Sequence, residues 1–139
     1  MKYSQLIGSL ASLLVIGICF LPWIEVPLVN ITLSGWSGKV NNELNFGQQG
    51  LSHTLFCVLM IILFQVPRIW AKRTNIFIAA LHLGWAFKNY LIFSMCRLGE
   101  CPVVKPALYL LLFLAFLIQV MTFLPQIEIN KEIPVLKEA

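Results

Sequence analysis

Four apolar stretches occupy most of this chain, and they restrict its fold more than any other feature. Residues 4–22 read SQLIGSLASLLVIGICFLP, and comparable runs fill 51–70, 75–95 and 106–124. An uninterrupted apolar run of about 18 residues or more is long enough for a helix to cross a hydrocarbon layer roughly 30 Å thick. The sequence therefore predicts an all-α membrane protein: a four-transmembrane-helix bundle forming one integral domain over 1–139. Outer loops at 23–50 and 96–105 and a tail at 125–139 complete the predicted layout. Composition agrees with this reading. The chain is 59% hydrophobic and 12% charged, against about 25% charged in ordinary soluble domains.

Local signals suggest where the helices start and stop. Thr74 or Asn75 is placed to cap the third segment, and Pro106 suits the first turn of the fourth. Pro125 follows the fourth segment and opposes its continuation. The tetrapeptide KRTN, 72–75, reads as a tight turn joining the second and third segments into an antiparallel pair. Residues 19–23 lack a small-residue cleavage site, so the first segment reads as retained rather than removed as a signal.

Charge distribution sets an expected orientation. Lys2, Arg68, Lys72, Arg73, Lys131 and Lys137 fall on one side of the four segments. Lys39, Arg97 and Lys105 fall on the other, among Glu25, Glu43 and Glu100. The positive-inside rule then places both termini in the cytoplasm. Net charge is +4, but the basic residues are scattered rather than gathered into a stripe, so a nucleic-acid partner is not expected. The short loops and the lack of sorting signals point to a bacterial inner membrane.

In the first loop, VNITLS (29–34) alternates apolar and polar residues as a half-buried strand does. GWSG and KVNNELNFG follow, with turn residues and a second apolar pair, Leu44 and Phe46. A short β hairpin or ribbon is expected over the outer helix ends. Trp23 and Trp36 read as interface anchors or partner-docking residues. Asn30-Ile31-Thr32 matches a glycosylation sequon on the outer side.

With Trp23 just beyond the first segment and Gly35-Trp36 further along, this layout resembles the claudin-like four-span membrane proteins. The resemblance implies architecture: helices crossing a membrane beneath an outer β layer. That family's paired loop cysteines are absent here, and its Gly-Leu-Trp reads Ser34-Gly35-Trp36. Adhesion and paracellular channel activity are therefore not carried over.

Cys96 and Cys101 flank RLGE in the second outer loop, where Gly99 lets the chain fold back into a small disulfide ring. A redox role is the alternative, although catalytic pairs more often read Cys-x-x-Cys. Cys19 and Cys57 lie within apolar runs, where a free thiol behaves as a small hydrophobe. No metal-ligand cluster is apparent, and no cofactor is expected.

The remaining chemistry is polar groups inside apolar segments. Lys88 lies about 12 Å below the outer end of the third segment, by helical rise. Asn89 is beside it, and His82 lies two turns before Asn89 on the same helical face. The expectation is an intramembrane cluster of Lys88, Asn89, His82 and His53, with Glu25 as the counter-ion. This cluster either fixes packing or binds an anion, a headgroup or a carboxylate. Gly8 and Ser12, spaced small-xxx-small, offer a face for close approach of a partner helix.

No nucleophile–base pair or phosphate loop stands out. The sequence thus reads as a non-catalytic accessory or assembly subunit that contacts the lipid bilayer and a larger membrane-protein partner. A small transporter or channel component using a cavity at Lys88 is the alternative, followed by a membrane thiol–disulfide oxidoreductase.

Overall fold

The computed structural model describes residues 3–39, 45–96 and 99–124. In chain order these form α1 (Ser4–Ile18), β1 (Pro22–Val26), a 3-10 turn (Pro27–Val29), β2 (Ile31–Ser34), α2 (Gln49–Gln65), α3 (Ile69–Ser94), β3 (Val103–Val104) and α4 (Pro106–Thr122). α1 packs against α2 and α4, and α3 also packs against α2 and α4, so the four helices close a ring. β1, β2 and β3 form a three-stranded antiparallel sheet in the order β2-β1-β3.

This architecture corrects the predicted all-α, four-transmembrane-helix bundle. Among the described residues, only α3, at 26 residues, is both long and apolar enough to cross a membrane. The other three helices have 15, 17 and 17 residues. At 1.5 Å per residue they measure about 22–26 Å, short of a hydrocarbon layer roughly 30 Å thick. The shortening has local causes. α1 tightens into i→i−3 bonds, Phe20 N to Gly17 O and Leu21 N to Ile18 O, just before Pro22 starts β1. Residues 19–22, counted in the apolar run, therefore belong to the turn and the sheet.

The α2–α3 junction differs from the prediction as well. Val66 is extended, at φ −78° and ψ 116°, as a residue preceding proline tends to be, and Pro67 ends α2. The helix restarts at Ile69, with Arg68 as its N-cap, so KRTN lies inside α3 and is not the turn. Thr74 does not cap the helix; its hydroxyl donates to Trp70 O one turn back, at 2.9 Å. Asn75 is buried in the helix interior.

The expected strand at VNITLS appears as β2, but its partners lie elsewhere. It pairs with PWIEV; residues 40–44 of the KVNNELNF segment, the other expected arm, lie outside the described residues. Asn30 closes the β1–β2 connection at φ 48°, a left-handed conformation that asparagine tolerates better than most residues. The β1–β2 register slips between Pro22 and Ile24. Strict alternation would send Trp23 and Ile24 to opposite faces, yet both are fully buried, and the irregularity permits this. β3 comes from the second loop and pairs through Ile24↔Val104 and Glu25↔Val103. The sheet therefore joins both loops into one layer against the helix ends.

Gly35 anchors this layer. Its N–H donates to Cys19 O (3.0 Å), and its carbonyl accepts from Gly50 N (2.6 Å), tying the loop to the end of α1 and the start of α2. A Cβ at this position would lie 2.8 Å from the Trp23 ring, so a side chain would push the indole away.

Candidate functional site

The most unusual chemistry in the core is a polar chain running from α2 to α3. His53 Nδ1 lies 3.0 Å from His82 Nε2, and Asn89 Nδ2 lies 2.8 Å from His53 Nε2. All three residues are fully buried. His82 and Asn89 share a face because seven residues make nearly two helical turns. Cys57, one turn after His53 on α2, places its Sγ 4.0 Å from His82 Nε2.

The bonding order defines the tautomers. Asn89 Nδ2 donates to His53 Nε2, which makes His53 Nδ1 the protonated nitrogen and the donor to His82 Nε2. His82 then carries its own proton on Nδ1. Both His82 Nδ1 and Asn89 Oδ1 lack a hydrogen-bond partner. Aromatic rings enclose the chain: Trp23 meets His53 edge-on at 5.8 Å, and Phe56 lies 5.9 Å from His82. The arrangement is a neutral relay that joins two helices. Any other α2–α3 register would leave its imidazoles unpaired in an apolar core, so the relay specifies that register. Among the described residues, no group of three or more histidine, cysteine or acidic side chains is arranged to hold a metal ion.

The structure brings His53, His82 and Asn89 together but leaves out the other two members of the expected cluster. Consecutive helical residues point about 100° apart, so Asn89 faces inward while Lys88 is exposed. Lys88 Nζ lies 4.0 Å from the Trp85 ring centroid, a cation–π contact, rather than beside Asn89 or Glu25. Glu25 pairs with Lys105 across the sheet layer, and Lys105 N also donates to Trp23 O at 2.8 Å.

The expected docking residues are placed differently too. Trp23 is a core residue; its Nε1 donates to Ile18 O at 3.1 Å, and its ring meets Phe93 edge-on at 5.4 Å. Trp36 is half-buried and stacks on Phe20 at 5.5 Å, with its Nε1 unpartnered. Gly8 and Ser12 face inward. A Cβ at Gly8 would overlap the Phe64 ring of α2, and Ser12 Oγ donates to Gly8 O at 2.9 Å. The close helix approach they permit is thus used within the chain, between α1 and α2. Asn30 is exposed at the β1–β2 connection. Both chain termini and Arg97 lie outside the described residues.

Cys96 and Cys101 are joined by a disulfide, and Cys19 and Cys57 are buried free thiols. Replacing Cys96 and Cys101 with serine is expected to cost about 2 kcal/mol or less, because the closed loop is short. The change should loosen the β3 end of the sheet while α1–α4 stay folded. Faster amide exchange at Val103 and Val104, with the helical circular dichroism retained, checks this.

Sequence reasoning missed Lys72, read as a turn charge. It is 5% exposed, and its Nζ donates to Phe64 O at 2.8 Å. With the Gln5 carboxamide oriented to satisfy both neighbours, its nitrogen donates to Phe64 O (3.0 Å) and its oxygen accepts from Lys72 Nζ (3.1 Å). A cation is thereby set at the negative end of α2, where the last carbonyls lack helical partners. Pro67 was the available signal, since it moves the helix break upstream of Lys72.

No family model, no curated protein and no solved structure matches this chain.

Proposed function

We propose that this chain is a non-catalytic assembly subunit of a bacterial inner-membrane complex and recognises a larger partner through the tip of its sheet layer. The observation that carries the reading is the apolar rim of that layer. Leu28, at the β1–β2 connection, is 71% exposed; Val29 next to it and Val103 on β3 are about half exposed. Apolar side chains displayed on a layer held by β pairing, the Glu25–Lys105 ion pair and a disulfide suit docking against another protein. Membrane integration is supported by α3 and by large apolar residues exposed on the outer faces of the helices, among them Leu14, Leu55 and Phe77.

The two alternatives receive less support. A transport pathway through the Lys88 region needs polar groups that connect, whereas Lys88 faces away from the sealed His53–His82–Asn89 relay. Thiol–disulfide exchange needs a relay for electrons, whereas the two cysteines outside the disulfide are buried.

Co-purification in mild detergent tests the proposal. Wild-type protein should carry a stoichiometric partner. Leu28→Asp combined with Val103→Asp should reduce its recovery about tenfold or more, the equivalent of leaving one or two apolar side chains unburied. Both positions are exposed, so helical content should be unchanged. A wild type that purifies alone, or a double variant that keeps its partner, would refute the proposal.

A further inference from the structure

A notch of about 270 Å³ opens between the start of α1 and the last turn of α2. Gln5, Leu6, Ser9 and Gln65 line it, so its lining is mostly polar. The larger groove on α3 and α4 is lined almost wholly by apolar side chains, which acyl chains satisfy. Acyl chains do not satisfy the notch. Ser9 is 8% exposed, and among the described residues its hydroxyl has no hydrogen-bond partner. Ser4 and Ser12 on the same helix donate to Leu124 O and Gly8 O. Ser9 Oγ is not among the sealed polar atoms, so a group in the notch can reach it.

The charge around the notch is positive. Behind it, the Lys72 ammonium, itself 5% exposed, is held by Phe64 O and the Gln5 carboxamide oxygen. Arg68 and Arg73 are exposed near the α2–α3 junction, and no acidic side chain lines the notch. Tyr3 and Trp70, 63% and 57% exposed, stand at the starts of α1 and α3. Aromatic side chains so placed mark a membrane–water interface, the level at which lipid headgroups lie.

We propose that the notch binds the phosphate of an anionic phospholipid headgroup. The Ser9 hydroxyl and the Gln65 carboxamide each supply a donor, and a phosphodiester accepts both while balancing the buried Lys72 charge. Phosphatidylcholine carries the same phosphate but adds a cation that Lys72, Arg68 and Arg73 repel. The volume lies just below the roughly 300–1,000 Å³ of whole-ligand pockets, which suits a headgroup whose acyl chains stay in the bilayer. The inference rests on the reading of the helix exteriors as membrane-embedded and is independent of docking at the sheet tip.

The test reconstitutes the full chain in phosphatidylcholine vesicles with a trace of spin-labelled phosphatidylglycerol or spin-labelled phosphatidylcholine. Wild-type protein should immobilise the labelled phosphatidylglycerol at least about threefold more strongly, the equivalent of one net hydrogen bond. Ser9→Ala combined with Gln65→Leu should abolish that preference with the helical circular dichroism unchanged. In about 1 M salt, where exposed charges are screened beyond roughly 3 Å, most of the wild-type preference should persist. A wild type without preference, or a folded double variant that keeps it, overturns the site. Preference that vanishes in salt belongs to the exposed arginines and overturns it as well. Displacement of the labelled lipid by excess glycerol phosphate would assign the notch to a soluble phosphate ester and overturn the lipid as occupant. Leu28→Asp should keep the lipid preference, so loss of partner docking and loss of lipid binding are separable. Failure of the chain to remain with the vesicles after alkaline carbonate washing would instead overturn the membrane reading beneath both proposals.

Discussion

Trp23→Ala is expected to destabilise the protein by about 3–5 kcal/mol, the range for truncating a buried tryptophan. The indole is fully buried, meets His53 and Phe93 edge-on, and donates to Ile18 O. It also supports the Gly35 backbone, which has no side chain of its own to fill a gap. Its loss therefore opens a cavity where α2, α3 and the sheet layer converge. Thermal unfolding in detergent, followed by circular dichroism, should show a midpoint lowered by roughly 10 °C or more. Trp23→Phe should recover most of the packing and lose only the indole bond to Ile18 O, which keeps its bond from Leu21 N, a remaining cost of about 0.5–1.5 kcal/mol. A Trp23→Ala variant within about 1 kcal/mol of wild type would show that the indole does not sit in this core.

The second large effect is expected at His53. Replacement with leucine removes the middle of the relay, leaving Asn89 Nδ2 buried without a partner and His82 Nε2 with only the long Cys57 Sγ contact. At about 1–3 kcal/mol for the orphaned amide and up to as much again for the weakly held imidazole, the loss should be about 1–6 kcal/mol. Converting His53, His82 and Asn89 together to leucine should cost less than the single change, because no desolvated polar group is then left unpaired. Denaturation of the single and triple variants under the same conditions makes the comparison. If the triple variant is the less stable one, the relay contributes net stabilisation rather than register alone. If His53→Leu is neutral, the relay is not formed in the folded protein.

Residue order alone determined the parts of this protein that depend on near neighbours. Helix formation followed from apolar runs, the start of α4 from Pro106, the β2 strand from the alternation in VNITLS, and the disulfide from Cys96 and Cys101 around Gly99. The shared face of His82 and Asn89 was legible because helical periodicity fixes it within one segment. Tertiary structure decided everything that depended on which segments meet. Apolar content could not separate residues 19–22 into a turn and a strand, because core strands and helices bury the same side chains. Pairing of β1 with β3 joins residues about 80 positions apart, so no local signal announced the third strand of the sheet. Lys88 and Lys72 illustrate the same division. Both are lysines in apolar surroundings, yet one lies outside over Trp85 and the other is buried against Phe64 O. Which lysine is buried depends on where α2 breaks and how α1 lies against it, and both are consequences of packing.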